Sequence, residues 1–379
     1  MIQKEINEIR RRLNAERICS NRIYGTFVKA NKEIISEFEY SIDLMAQSEK
    51  EKFMSIIKKT LSGGIGRGMI DIEFTTAQVT DSDEHRLLME LRASSLKDEE
   101  LRKKLVAKVI DNVSMPDGNY IILLLSDTYD VPFKSSDGET GDSTEVFSYF
   151  ICAVCPVKEG KIELAYMSDE KKFHSFLSPQ LVSSPEVGFM FPCFDDRSTN
   201  IYNALFYTKN TAIVQKELID ALFKAQPPMS VPAQKETFTT ALTQTLESEC
   251  RYEVVQSVHS QICERITQHK ESHDPTTLEL SSYDVANMLT YSGVKEDKVQ
   301  AFCKKIDEDF GENAPLNPKN IIESKRFNIE TPEVKISVNP EYTELVETRI
   351  INGRKYILIP ADGGVSVNGI NIKIPEENE

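Results

Sequence analysis

The chain of 379 residues contains no tryptophan, no long apolar run and no recognisable catalytic signature. Its apolar stretches, of which Tyr120–Leu125 is one, are far too short to span a bilayer. The opening residues, MIQKEINEIRRRLNA, are charged and lack the apolar core of a secretory signal. Seven scattered cysteines, an odd number, suit reduced thiols better than a disulfide framework. We therefore expect a soluble cytoplasmic protein with no membrane contact.

Motifs of several enzyme classes are missing as well. Neither GxSxG nor HExxH occurs, and no serine or cysteine lies in a recognisable nucleophile context. The sequence thus gives no support to nucleophilic or zincin-type hydrolysis. Whether the protein is an enzyme stays open, with the balance against it, and we expect no cofactor.

Positive charge is in deficit, because 45 Lys and Arg stand against 60 Asp and Glu, for a net charge of −15. Binding to DNA is not expected, since counterion release needs clustered basic residues. The first 118 residues are nevertheless balanced, with 20 basic and 20 acidic residues. RNA or ribosome contact through this part is an alternative to a solvated surface. Its candidate residues are Arg10–Arg12, Lys58, Lys59, Arg67 and Arg102–Lys104.

The order of apolar patterns predicts an α+β fold, because strands follow strands and helices follow helices. A mixed N-terminal αββα segment is expected to precede a central, mainly antiparallel sheet with flanking helices, at about residues 119–208. A helical segment and a C-terminal β-hairpin module follow. The predicted domains are a main α+β domain at 1–224, a proline-rich linker at 225–235, a helical domain at 236–312 and a β module at 326–379.

Several local features are predicted within this order. Ser48 and Glu51 have the spacing of a capping box at the start of a helix that extends to Leu61. The polar stretch Lys134–Thr144 is predicted to be a surface loop. Hairpin turns are expected in the tail at Asn352-Gly353, Asp362-Gly363-Gly364 and Asn368-Gly369.

The glycine-rich stretch KKTLSGGIGRG, residues 58–68, is the nearest approach to a nucleotide motif. Phosphate loops run from strand to glycines to helix, so that the anion meets the positive end of the helix dipole. Here a helix leads into the glycines and a strand follows, which predicts helix termination. Gly63 or Gly64 would supply the cap, whereas Gly66 and Gly68 stay unexplained.

The densest polar stretch between two apolar strands is FDDRSTN, residues 194–200. Its Asp195, Asp196 and Arg197, together with Asp127, would suit metal-assisted or phosphoryl chemistry. The same composition is typical of a hairpin loop that bonds its own backbone, and this structural interpretation is favoured. The four residues are the only catalytic candidates that the sequence offers.

No metal site is expected, and the weak candidates are Cys152, Cys155, His259 and Cys263. The CAVC pair lies in an apolar run that predicts a strand, on which residues three apart point to opposite faces. Because there is no second CxxC, two buried structural cysteines are the favoured interpretation. His259 and Cys263 are four apart on a predicted helix, which places them on one face.

Several long stretches resemble one bacterial family. They include KKTLSGGIGRG, NYIILLLSDTYDVP, ICAVCPV, PEVGFMFPCFDDRSTNIYNALFYTKN and the ending VNPEYTELVETRIINGRKYILIPADGGVSVNGINI. The family is the domain of unknown function numbered 4317, from Gram-positive anaerobes, and the resemblance covers the whole chain. It implies a bacterial cytoplasmic protein and transfers no catalytic or binding residue.

Two functions are carried forward. The first is a non-enzymatic binding or regulatory protein that acts through protein–protein contacts, with a partner of unknown identity. It is favoured by the lack of a catalytic constellation and by the acidic character of the chain after residue 118. The alternative is a hydrolase or transferase on a phosphate-containing or RNA-linked, translation-associated substrate, which would use the Asp195-Asp196-Arg197 loop.

Overall fold

A computed structural model describes residues 1–116, 118–134, 140–274, 276–367 and 369–373. The chain divides into two compact units. The first is Met1–Pro232, and the second is Ala233–Asp274 with the chain from Leu278 onward. Over the ranges described, no helix is both long and apolar enough to cross a membrane.

Helices and strands occur throughout the first unit, and most of its strands belong to one large sheet. Its helices are α1 (Gln3–Arg12), α2 (Gln47–Ile57), α3 (Thr76–Asp81), α4 (Asp83–Ala93), α5 (Glu99–Asn112) and α6 (Lys216–Phe223). Its strands are β1 (Arg22–Val28), β2 (Ile34–Ser41), β3 (Met69–Glu73), β4 (Tyr120–Lys134), β5 (Thr140–Lys158), β6 (Ile162–Met167), β7 (Lys172–Leu177), β8 (Leu181–Val182), β9 (Val187–Phe191), β10 (Cys193–Asp195), β11 (Ser198–Asn200) and β12 (Asn203–Thr208).

The main sheet is antiparallel throughout and has the order β2-β1-β4-β5-β9-β12-β3, with β8 added beside β5. Two short hairpins, β6–β7 and β10–β11, form separate two-stranded sheets. Both outer strands of the main sheet therefore come from the N-terminal part of the chain, and its centre comes from β4 and β5.

Both faces of the main sheet are covered, which explains why the first part of β4, Tyr120–Leu125, is apolar without a break. Ile122 and Leu124 point into one core, where α4, α5 and α6 pack. Ile121 and Leu123 point into the other core, which α1 and α2 close. An antiparallel strand usually alternates apolar and polar residues, but here neither face is left to solvent.

The second unit begins with helices and ends with hairpins. Its helices are α7 (Val231–Leu246), α8 (Tyr252–Ser272), α9 (Ser282–Tyr291), α10 (Glu296–Phe310) and α11 (Pro318–Ile321). Its strands are β13 (Phe327–Glu330), β14 (Lys335–Val338), β15 (Glu347–Ile351), β16 (Arg354–Leu358), β17 (Val365–Val367) and β18 (Ile370–Ile372), which pair in sequence as three hairpins. A core of side chains from α7 to α10, including Phe238, Ile262, Leu289 and Phe302, holds the helices together.

The predicted α+β class, the central antiparallel sheet and the C-terminal hairpins are confirmed. The predicted capping box is wrong. The helix begins at Gln47 after Ala46, no side chain caps it, and Glu51 accepts a hydrogen bond from the Gln47 amide instead. The helix expected from Glu236 begins at Val231, inside the stretch predicted as linker.

The loop predicted at Lys134–Thr144 is wrong at both ends, because β4 extends to Lys134 and β5 begins at Thr140. Residues 135–139 between them lie outside the described residues, as do Asn368 of the predicted turn at 368–369 and residues 374–379 of the tail.

Candidate functional site

The glycine-rich stretch serves the fold of the first unit. After a 3₁₀ turn at Lys58–Leu61, the chain passes through Gly66 in the left-handed region, with φ of 75°, and enters β3. Gly68 lies against β12, where its carbonyl accepts a bond from the N–H of Thr208 at 2.9 Å. A Cβ on Gly68 would stand 3.1 Å from the Thr208 oxygen. The two glycines that the sequence left unexplained are therefore required by a turn and by a close strand contact.

The FDDRSTN stretch forms the tight hairpin β10–β11. Asp195 pairs with Ser198, so Asp196 and Arg197 are the two turn residues, with φ of 47° and 59°. Positive φ at both central positions is the geometry of the turn that matches strand twist in two-residue hairpins. Asp196 points into solvent, whereas Asp195 lies 3.3 Å from the amino group of Met1 and accepts a bond from Asn200.

Arg197 is held by an ion pair rather than being free for a ligand. Its Nη1 lies 2.9 Å from both carboxylate oxygens of Glu8 on α1, and its Nη2 donates to the carbonyl of Pro132 at 2.9 Å. Glu8 also accepts a bond of 2.6 Å from the hydroxyl of Tyr129. For Arg197 to act on a ligand, its bonds to Glu8 and to the carbonyl of Pro132 would first have to break.

Asp127 is buried in β4 and bonds to a different part of the chain. One oxygen accepts from the N–H groups of Cys19 and Ser20 at 2.9 and 3.2 Å, and the other accepts from the Tyr149 hydroxyl at 3.1 Å. Burial raises the pKa of Asp127, and these donors oppose the shift. The carboxylate fastens the segment between α1 and β1 to the sheet.

The four candidate residues are thus held by separate sets of contacts. Asp127 lines a pocket of about 210 Å³ with Arg92, Lys97 and Ser148, and the β10–β11 turn contributes nothing to its wall. Asp195 and Arg197 each have their own partners. The geometry brings none of Asp195, Asp196 and Arg197 to Asp127, and it suits the structural interpretation of the loop.

The four weak metal candidates are also divided. Cys152 faces the core under α4 to α6, and Cys155 faces the core under α1 and α2, so the two thiols lie on opposite sides of the sheet. Burial raises the pKa of Cys155 to about 12. His259 and Cys263 belong to the second unit. In the ranges that the structure describes, no group of three or more potential ligands lies together.

His259 and Cys263 do lie side by side on α8. The sulfur is 3.7 Å from Nδ1 of His259, while Nε2 lies 3.0 Å from the carbonyl of Glu323. An imidazole that donates from Nε2 to this carbonyl leaves Nδ1 as an acceptor for the thiol. The ring also packs edge-on against Phe327, with centroids 4.9 Å apart. His259 therefore links α8 to the start of β13.

Burial lowers the pKa of His259 below its ordinary value of about 6.5. The unfolded chain then binds more protons than the folded chain between these two pKa values, so stability is lost as the pH falls from about 6.5 through the folded pKa. We expect the melting temperature of the second unit to fall over this window, and to fall less steeply in His259→Gln. Calorimetry of both proteins across the window measures this, and identical slopes would contradict it.

Four of the basic candidates of the N-terminal part, Arg12, Lys59, Arg102 and Lys103, are engaged within the fold. The guanidinium of Arg12 lies over the ring of Tyr129 at 4.3 Å and donates to the carbonyl of Thr128. Other intramolecular partners are Ser184 for Lys59, Tyr24 for Arg102 and Glu99 for Lys103. Contact with RNA through these side chains would compete with the bonds that they already make.

An exposed apolar surface of the first unit lies on one face of the β6–β7 hairpin. Cross-strand pairing joins Ile162 to Leu177 and Tyr166 to Phe173, and Leu164 lies between them on the same side. These five side chains, which we call the hairpin face, are 53–76% exposed. The rings of Tyr166 and Phe173 are in contact at 5.3 Å. The opposite side carries Glu163, Ala165, Met167, Lys172, His174 and Phe176.

The hairpin face was not predicted from the sequence. The signal was partial, because KIELAYM has Ile162, Leu164 and Tyr166 at alternate positions, whereas KFHSFL does not alternate. Alternation of this kind indicates a strand with one apolar face, and such a face is ordinarily buried. Only the fold shows that no described residue of the first unit covers this face.

Comparison with known proteins gives one result that spans both units. A family model described as a domain of unknown function, DUF4317, matches residues 1–370. No curated protein matches the chain. The matched range includes the main sheet, the β6–β7 hairpin and the C-terminal hairpins, so the family model extends over both units. The resemblance expected from the sequence is confirmed.

Proposed function

Because the chain belongs to the DUF4317 family of domains of unknown function, we propose from its own surface that it acts by binding another protein. The proposed contact surface is the hairpin face formed by Ile162, Leu164, Tyr166, Phe173 and Leu177. The observation that carries the proposal is the exposure of these five large apolar side chains on one side of a single hairpin.

Exposed apolar residues that occur singly are ordinary, whereas a contiguous group on one face marks an interaction surface. Ile162 and Leu164 are 76% and 74% exposed, and Phe173 is 66% exposed. The group includes two aromatic rings in contact, and such anchors often carry most of the binding energy at protein interfaces.

The stability of the hairpin gives a second argument. A lone two-stranded sheet is marginally stable in water and usually needs a third strand or a packed helix. β6 and β7 pair only with each other within the described chain, and every residue of β7 is exposed. A partner that covers the hairpin face would supply the missing layer.

The two sides of the hairpin differ, because charged groups occur on the side opposite the hairpin face. Glu163, Lys172 and His174 project there, and His174 lies 2.8 Å from Glu170. The opposite side also carries Ala165, Met167 and Phe176, so its charged groups are what distinguish it from the hairpin face. We therefore expect a partner that contributes an apolar patch or an amphipathic element of its own.

The test compares two hairpin variants that both keep strand-favouring side chains. Leu164→Thr/Phe173→Thr removes two anchors from the hairpin face. Ala165→Thr/Lys172→Thr is the control, because it also places one threonine in each strand, but on the other side of the hairpin. Each protein is used as bait in lysate of the native host, and captured proteins are quantified by mass spectrometry. The captured partner is then purified, and its affinity for each form is measured by titration calorimetry.

We expect a protein bound one-to-one by the wild type and the control variant, with affinity for Leu164→Thr/Phe173→Thr weaker by about thirtyfold or more. Equal affinity for all three forms would overturn the assignment of the hairpin face. Sedimentation would detect a further contrary result, in which the wild type is a dimer and only the hairpin-face variant is monomeric. The face would then join two copies of this chain.

A further inference from the structure

A groove of about 260 Å³ opens in the second unit between α7, α8 and the start of β13. Its wall is mostly apolar and includes Phe238, Leu242, Leu246, Val254 and Val258. This surface is distinct from the hairpin face, which belongs to the first unit.

Several polar groups of the wall are already satisfied within the protein. The hydroxyls of Thr239 and Thr243 donate to carbonyls one turn earlier on α7. The ring nitrogens of His259 are taken up by the carbonyl of Glu323 and the thiol of Cys263. The Glu323 carboxylate accepts from the N–H of Lys325 at 3.4 Å.

The charged side chains of the wall are Lys235, Arg326 and Glu323, so the cations are in excess. Lys235 and Arg326 both line the groove, and neither forms an ion pair with any residue in the part of the chain that the structure describes. Free donors of this kind in a chain of net charge −15 favour an acidic group on the ligand.

We infer that this groove binds a small amphipathic carboxylate. The apolar body would lie against Phe238, Leu242 and Val258, and the carboxylate would face Lys235 and Arg326. Size sets the class of ligand, because a cavity of about 150 Å³ holds a benzene ring. A groove of about 260 Å³ has room for such a ring with a short acidic side chain, and it is smaller than the sites that take drug-sized molecules.

The experiment uses 3-phenylpropanoate as the probe and 3-phenylpropan-1-ol as its neutral match. Binding to the full chain is followed by calorimetry and by the methyl NMR signals of the groove leucines and valines. We expect saturable binding of the carboxylate, about tenfold tighter than that of the alcohol. Lys235→Met/Arg326→Met should remove this difference and leave the affinity for the alcohol within about twofold.

A blocking variant locates the site. Thr243 is exposed on α7, so Thr243→Trp is expected to fold normally, to place its ring in the groove and to abolish binding of both probes. Circular dichroism and the melting temperature verify folding of each variant. The inference is overturned if the carboxylate shows no saturation up to about 10 mM, or if Lys235→Met/Arg326→Met binds it as the wild type does. Binding of an acidic amphipathic helical peptide in place of the carboxylate would also overturn it.

Discussion

Phe223→Ala is expected to lower the free energy of unfolding of the first unit by about 4 kcal/mol. Phe223 ends α6 and is fully buried against the main sheet. Its ring meets those of Phe189, Phe74 and Phe206 at centroid distances of 5.3, 6.0 and 6.2 Å, each at a steep interplanar angle. Truncation removes the burial of the ring and all three edge-to-face contacts, and rigid neighbours cannot fill the space. Urea unfolding followed by circular dichroism measures the loss.

Two further variants separate the aromatic cluster from a general effect of losing a ring. Phe173→Ala removes the same atoms from a side chain that is 66% exposed, and it should change stability by less than about 0.5 kcal/mol. Phe223→Leu keeps most of the volume and should cost about 1.5 kcal/mol. A loss below about 2 kcal/mol for Phe223→Ala would mean that α6 does not anchor this face of the sheet.

The second large effect is expected for Asp127→Ala, which should destabilise the first unit by about 3 kcal/mol. The substitution leaves the N–H groups of Cys19 and Ser20 and the hydroxyl of Tyr149 without their acceptor, in a place where Asp127 is 3% exposed. A buried donor without a partner keeps the full cost of its desolvation. Equilibrium unfolding gives the change in free energy, and hydrogen exchange at Cys19 and Ser20 reports the local release.

The same strand supplies a control for Asp127→Ala. Asp130 is exposed three residues further along β4, and Asp130→Ala should change the unfolding free energy by no more than about 0.5 kcal/mol. Tyr149→Phe should cost about 1 kcal/mol, since the carboxylate keeps its two backbone donors. Asp127→Ala would argue against a structural role for this carboxylate if it were as stable as Asp130→Ala.

The parts of the fold that follow local rules were predictable from the sequence. The helical segment predicted at 236–312 contains α9 (Ser282–Tyr291) and α10 (Glu296–Phe310), and the Ser281 side chain caps α9 by accepting from the N–H of Asp284. The unbroken apolar run in β4 indicated a central strand. Spacing alone also indicated that Cys152 and Cys155 face opposite sides of a strand.

Features that depend on contacts between residues far apart in the sequence could not be predicted from it. Arg197 and Glu8 stand far apart in the sequence, and no local pattern says that they form an ion pair. The exposure of the hairpin face depends on which elements fail to cover β6 and β7. The groove depends on Lys235 and Phe327 coming together although they are far apart in the sequence. Sequence patterns describe one element at a time, so they give the faces of an element but not its neighbours.

The order of strands in the main sheet has a consequence for the nascent chain. β1 and β2 follow each other in the sequence and pair with each other, whereas in the described part of the chain β3 pairs with β12 alone, which follows the whole β4–β5 ribbon. At about 5–20 residues per second, the strand waits roughly ten seconds for its partner. During that time its unpaired backbone is a template for other chains. The main sheet therefore cannot complete its β3 edge until β12, which is translated much later, is available.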